Sequence, residues 1–188
     1  RLEERLRGLI GIFEKHILGP DGHLRLFFDD DWNSGYDIVS YGHDIEASWL
    51  IHEAALVLGD EAVIGRIEKL VPAIAAAAGE GFSPEGGMIY EKNAGETDRD
   101  RHWWVQAEAV VGFYNGWQKD NSKTHYLEAA ENIWKFIQDK VVDKRPGSEW
   151  FSEVDVNGKP YMHKPILEPW KCPYHNGRMC LEMIKREK

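Results

Sequence analysis

The sequence predicts an all-α fold of helical hairpins, of the α-solenoid or α/α-toroid kind, and three observations carry that reading. Six stretches show helix-period apolar spacing. Aromatic, turn-rich excursions separate these stretches in pairs. Each excursion runs into a helix whose first turn holds the unusual side chains, in "GHDIEASW", "RHWWVQAEAV" and "PYHNGRMCLEMI". These first turns recur about every 60–70 residues, enough for one helical hairpin each. In a closed ring, inner helices would bring them to one end, around a common cavity.

The elements follow in order. The first helix is expected over 2–18, in "LEERLRGLIGIFEKHIL", and "HLRLFFDDDWN" at 23–33 is the first β-like excursion. A second helix over 44–58 can end at Gly59, which tolerates the left-handed backbone of a C-terminal cap. A third over 60–78 can be started by the Asp60 carboxylate. "GEGFSPEGG" at 79–87 is a loop without the Lys and helix start of a phosphate cradle, and "GGMIYEKN" at 86–93 is the second excursion. The fourth helix covers 102–118 and the fifth 122–140, with Asn121 or Ser122 as its start. "EWFSEVDVNGKPYMHK" at 149–164 predicts a β-hairpin turning at Asn157-Gly158, and the sixth helix covers 172–186.

The 188 residues are 43% hydrophobic and 12% aromatic, with eight Trp, so the chain can bury a sizeable core and is not disordered. A net charge of −9 argues against nucleic acid or an anionic membrane surface, both of which need a basic footprint. The alanine run at 73–78 is too short to span a bilayer and no signal peptide is visible. If Cys172 and Cys180 share one helix, about 12 Å of rise separates them, too far for a disulfide. A reducing, cytoplasmic setting is the expectation. The chain opens at Arg1 directly into a helix, as a piece cut from a longer protein would.

Chemistry concentrates in the three first turns. His43 and Glu46 are spaced i, i+3 and share a helix face, which Trp49 continues. Trp104 and Glu108 are spaced i, i+4, and His175 and Arg178 i, i+3, while Trp170 stands on the loop entering the last helix. A histidine at a helix N-terminus feels a positive dipole end, which disfavours imidazolium and suits a general base near neutral pH. Two such histidines across a cavity would serve as base and acid on opposite faces of one carbon. Trp104 and Trp170 offer flat apolar platforms for sugar C–H faces, and Glu46, Glu108 and Arg178 can hydrogen-bond hydroxyls. Trp103, Trp117 and Trp134 are expected in the core, and Asp29-Asp30-Asp31 in a solvated turn. His52 lies on a different azimuth from His43, so the two do not form a helical zinc pair. His16, His23, His125 and His163 have no evident partner. No HExxH, CxxC pair, P-loop or GxGxxG occurs.

"SYGHDIEASWLIHEAA", "RHWWVQAEAVVGFYN" and "EPWKCPYHNGRMCLEMIKR" resemble the signature stretches of cellobiose 2-epimerases, in the N-acylglucosamine 2-epimerase superfamily. The likeness runs from the first helix to the end of the chain. It implies an (α/α)6 barrel about twice this length, of which residues 1–188 match the C-terminal half. It implies exchange of glucose and mannose at C2 of the reducing end of β-1,4-linked disaccharides (cellobiose, mannobiose, lactose), through ring opening and a cis-enediolate, without metal or redox cofactor. His43 and His175 would be the acid/base pair, with Glu46 holding His43 or a substrate hydroxyl. Trp104 and Trp170 would pack on the sugar rings, Trp49 would line the pocket, and Glu108 and Arg178 would complete the polar shell. Trp103 is the neighbouring alternative to Trp104, which its spacing to Glu108 favours. The family's arginine and third histidine, for ring opening and enediolate stabilisation, have no match here. Half a ring would leave inner faces to be covered by the N-terminal half or by another copy.

Competing readings remain. One is an N-acylglucosamine or other monosaccharide 2-epimerase or isomerase. Another is a glycoside hydrolase or lyase using Glu46 and Glu108, which would leave both histidines idle. The third is a sugar-binding half-barrel without turnover.

Overall fold

The stretch "WWVQAEAVVGFYNG" at 103–116 has apolar or small residues at nearly every azimuth, so it can fold only where it is enclosed on all sides. It forms most of helix α4 (Trp103–Lys119), in which every residue from Val105 to Gly116 is buried. The computed structural model describes residues 1–187. Around α4 lie α1 (Leu2–Ile12), α2 (Tyr41–Leu58), α3 (Glu61–Gly79), α5 (Thr124–Phe136) and α6 (His175–Arg186). Helices α2, α4 and α6 pack side by side as an inner layer. Helix α3 backs α2 and α4, α5 backs α4, and α1 backs α2. These are three helical hairpins arranged as an arc, as the sequence predicts.

The outer helices bury one stripe each. Val63, Ile67, Val71 and Ile74 of α3 are buried, as are Tyr126, Ala130, Ile133 and Phe136 of α5. A fully buried Ile contributes about 1.5–3 kcal/mol, so these stripes, rather than helix propensity, hold the outer layer. Trp134 departs from expectation. It stands one residue round from the Ile133 stripe and is 38% exposed, whereas Trp103 is buried and Trp117 is half-buried against the core.

Several ends match the sequence reading. Gly59 caps α2 at φ +70°, and the Asp60 carboxylate accepts from Ala62 N and Val63 N at 2.9 and 3.2 Å. Others differ. α5 starts at Thr124 without a side-chain cap, because the Ser122 hydroxyl donates to Asp120 Oδ1 at 2.5 Å instead. Wider π turns at Phe13–Ile17 and Ile137–Val141 extend α1 and α5. α6 starts at His175, so Cys172 lies on the preceding loop rather than on one helix with Cys180. Both cysteines are free and exposed.

The excursions are modest. Strands β1 (Ile38–Ser40), β2 (Glu91–Asn93) and β3 (Glu96–Asp98) form an antiparallel sheet in that order, with Ser40 opposite Glu91 and Glu91 opposite Asp98. β4 (Arg101–His102) pairs with β5 (Glu153–Val154). The predicted turn is present: Gly158 N donates to Asp155 O and Asp155 N to Lys159 O, with Gly158 at φ +74°. Its hairpin is reduced to one bridge, Val154 to Pro160, with β4 paired on the other edge of β5. The 23–33 stretch forms isolated bridges only. β1 leads into α2 and β4 into α4, so the short strands set where the inner helices begin.

Candidate active site

Each inner helix starts with one functional ring, and different anchors place each start. For α2 the anchor is Asp44, 1% exposed, which takes His23 Nδ1 at 2.7 Å and Leu24 N at 2.8 Å. This gives His23 a partner the sequence does not reveal. The hydrogen bond to Asp44 raises the His23 pKa against the effect of burial. For α6 the anchor is Lys171, 1% exposed, which donates to Ile166 O at 2.7 Å, pairs with Glu149 and lies 5.0 Å over the Trp103 ring. Asn176, beside His175, donates to the same Glu149.

The first turns then converge. The Trp104 ring lies 4.9 Å from His43 and 5.5 Å from His175, centroid to centroid, so one indole stands against both imidazoles. Trp103 meets His175 edge-on at 5.4 Å and is otherwise buried. Gly42 makes this possible: a Cβ there would sit 2.5 and 2.8 Å from the Trp104 ring.

Below the rings runs a charged network. Glu108 Oε1 accepts from His175 Nδ1 at 2.7 Å and from Arg178 Nη2 at 2.6 Å, and its Oε2 accepts from Trp49 Nε1 at 3.0 Å. Arg178 also pairs with Glu46 and donates to Tyr174 Oη at 2.6 Å, its guanidinium 5.1 Å over Trp49 and 4.6 Å over Tyr174. Burial works against the Arg178 charge, but Glu108 and Glu46 outweigh it and the pKa is raised. The carboxylate at His175 Nδ1 holds the proton on that nitrogen and leaves Nε2 free for a substrate. His43 is held differently, its Nδ1 2.7 Å from the Ser40 hydroxyl. Solvent still reaches this ring. The protein mass around it nevertheless lowers its pKa from the ordinary 6.5, with Glu46 and Asp44 pulling upward and His175 downward. A neutral imidazole at working pH is what a base requires.

Seven of the eight expected residues therefore meet, with roles redistributed, and Trp170 stands apart. His43, Trp104, His175, Glu46, Glu108, Trp49 and Arg178 form one connected cluster. Glu46 holds Arg178 rather than His43. Trp49 is 2% exposed and supports Glu108 from beneath. Glu108 is 1% exposed with both oxygens engaged. Trp170 is 91% exposed on the loop before α6. Glu46, Glu108 and His175 each offer a ligand atom within 4.8 Å of the others, yet the Arg178 guanidinium already bonds both carboxylates, which does not fit a metal ion. Ser40, Gly42, Glu149, Lys171 and Tyr174 were not singled out from sequence. The i, i+3 spacing of Ser40 and His43 was the one signal available.

The family model described as N-acylglucosamine 2-epimerase matches residues 4–176. A cellobiose 2-epimerase of Bacteroides fragilis is 52% identical over 187 residues, covering 98% of this chain and 47% of its own. One from Ruminococcus albus is 42% identical, covering 99% of this chain and 48% of its own. The crystal structure of a sugar epimerase from a ruminal bacterium superposes with TM-score 0.94 at 42% identity, over 98% of this chain and 48% of that one. The structure of cellobiose 2-epimerase from Bacillus thermoamylovorans superposes with TM-score 0.91 at 41% identity, over 98% and 47%. The chain thus spans about half the length of the relatives it matches. With the family model covering most of its residues and the predicted arc of hairpins in place, the chain belongs to the N-acylglucosamine 2-epimerase family.

Proposed function

We propose that the protein carrying this chain epimerises C2 of the reducing-end sugar of a β-1,4-linked disaccharide such as cellobiose, interconverting glucose and mannose. The observation that carries this is the pair of imidazoles, His43 on α2 and His175 on α6, both against the one Trp104 ring of the intervening α4. The relatives named cellobiose 2-epimerase support the substrate class.

The chemistry suits this arrangement. Once the sugar is in its open form, the aldehyde acidifies the C2–H bond. The Nε2 lone pair of one histidine takes that proton, and the electron pair moves to give a cis-enediolate. The other histidine, protonated, returns a proton to C2 from the opposite face. C2 ends with inverted configuration and the sugar as a whole with unchanged oxidation state, so no redox cofactor is needed. Trp104, in contact with both rings, would carry the apolar face of the sugar. Trp170, in solvent on the loop before α6, would close over it from outside. Glu108 fixes the His175 tautomer, and Arg178, itself paired with Glu46, holds Glu108 in place.

The concave inner face would be completed by the matching half of the ring or by a second copy. Among the described residues no helix is long and apolar enough to cross a membrane. Two free exposed cysteines suit a reducing compartment such as the cytoplasm.

A hydrolase reading is disfavoured by the same network, since Arg178 joins Glu46 to Glu108 and leaves no room for a scissile bond between them. The test is incubation of the intact protein with cellobiose followed by separation of the products. Glucosyl-mannose without free glucose is expected. Release of glucose, or cellobiose returned unchanged, would sink the proposal.

A further inference from the structure

Ser40 stands at the N-cap of α2, where a serine ordinarily turns its hydroxyl onto the first helical N–H groups. Here it makes no such cap. The residue is 3% exposed and its Oγ lies 2.7 Å from His43 Nδ1. A helix-capping residue has been diverted to one ring. The two imidazoles are therefore anchored unequally, His175 by a carboxylate tied to a guanidinium and His43 by a lone neutral hydroxyl.

Resting on the epimerase reading above, we infer that Ser40 is the positioning residue of His43, its oxygen accepting from Nδ1–H so that all proton traffic runs through Nε2. A hydroxyl oxygen can accept this bond both when the ring is neutral and when it is imidazolium. It therefore holds the ring in both halves of a reversible proton transfer without adding charge that would favour one of them. The other charged or titratable groups facing His43 are Asp44 and Glu46 on its own helix and His175 from α6, with Trp104 the neutral face from α4. None of these is hydrogen-bonded to the His43 ring, so the tautomer rests on Ser40. Without it a neutral imidazole drifts toward the Nε2–H form favoured in water, which has no lone pair at the working nitrogen.

The test compares the intact protein with Ser40→Ala and Ser40→Thr. Histidine ring nitrogen shifts are read by long-range 1H–15N correlation, beside kcat and KM for cellobiose. In the unaltered protein His43 is expected to carry its proton on Nδ1. Ser40→Ala should move it to a mixed tautomer and lower kcat about three- to tenfold with KM little changed, and Ser40→Thr should restore both. Nitrogen shifts that are the same with and without the hydroxyl, or a proton found on Nε2 in the unaltered protein, would overturn the assignment. The two readings separate cleanly. Moved shifts in a protein that never epimerises cellobiose support Ser40 and refute the function, whereas unmoved shifts in an active epimerase refute Ser40 alone.

Discussion

Glu108→Gln keeps the size of the buried side chain and removes its charge. In the structure the Glu108 carboxylate accepts three bonds, from Trp49 Nε1, His175 Nδ1 and Arg178 Nη2, and donates none. A glutamine has one acceptor oxygen and one NH2. Turned toward Trp49, the NH2 opposes a single N–H; turned the other way, it opposes both His175 and Arg178. The first orientation should prevail, leaving the Trp49 N–H and the facing amide NH2 without acceptors, at a cost of at least about 1–3 kcal/mol. The lost charge adds less than the full cost of a broken buried pair, because Glu46 still faces Arg178 and the arginine side chain is 21% exposed. Stability should fall by about 2–4 kcal/mol in total. The rate should fall further, since a neutral amide no longer reserves the Nδ1 proton. A loss of about 10²–10⁴-fold in kcat corresponds to about 3–5 kcal/mol at the transition state. The assay is cellobiose epimerisation at saturating sugar, with urea unfolding measured in parallel. A variant that folds and keeps a third or more of the parent rate would refute the claim that Glu108 sets the reactive form of His175.

Three further outcomes follow from the same geometry. Gly42→Ala places a methyl within 2.5–2.8 Å of the Trp104 ring at a helical position where alanine is intrinsically favoured. KM for cellobiose should therefore rise severalfold without loss of helix content by circular dichroism, and an unchanged KM would count against Trp104 as the sugar platform. Desolvation by the surrounding protein lowers the His43 pKa from 6.5, although solvent reaches the ring, so its neutral form persists to lower pH than a free imidazole's. The acidic limb of the rate profile should lie below 6.5. By the same sign, the folded protein should lose stability as pH falls beneath that value, because the unfolded chain then binds the proton more readily. A limb above 6.5 in a kcat/KM profile would contradict this. Lys171→Met removes the buried ammonium that joins Glu149, Ile166 O and the Trp103 face. It should destabilise the protein by about 3–5 kcal/mol, through the Glu149 charge left behind. It should also expose the 165–174 loop to limited proteolysis, and unaltered cleavage would show that the loop is held by other means.

Much of the fold was legible because periodicity and caps are local. Gly59 and Asp60 punctuate α2 and α3 through bonds that span two to four residues. Trp134 was not, since a 3.6-residue period marks a stripe without saying which of two adjacent large residues lies on it. Ile133, Phe136 and Ile137 form the stripe and Trp134 stands off it. The strands were faint for another reason: at two or three residues, with sequences such as EKN and ETD, they are too short and polar to display alternation. In the site, helical spacing identified which residues share a face, and His43, Trp104 and His175 do meet. Spacing could not say which partner each charge chooses. Arg178 reaches Glu46 across 132 residues of sequence, and His23 reaches Asp44 across 21, by packing that no local pattern encodes.

Proton transfer at C2 between two histidines on opposite faces of the sugar leaves a mark in the product. Its most direct measurement is proton NMR of cellobiose incubated with the intact protein in deuterated water, reading the reducing-end C2 position. Two exchanging bases predict glucosyl-mannose carrying deuterium at C2, with the signal lost in step with epimer formation and abolished in His43→Asn and His175→Asn. Epimer that keeps its original C2 proton, or deuterated epimer still formed without His175, would rule out transfer by this pair.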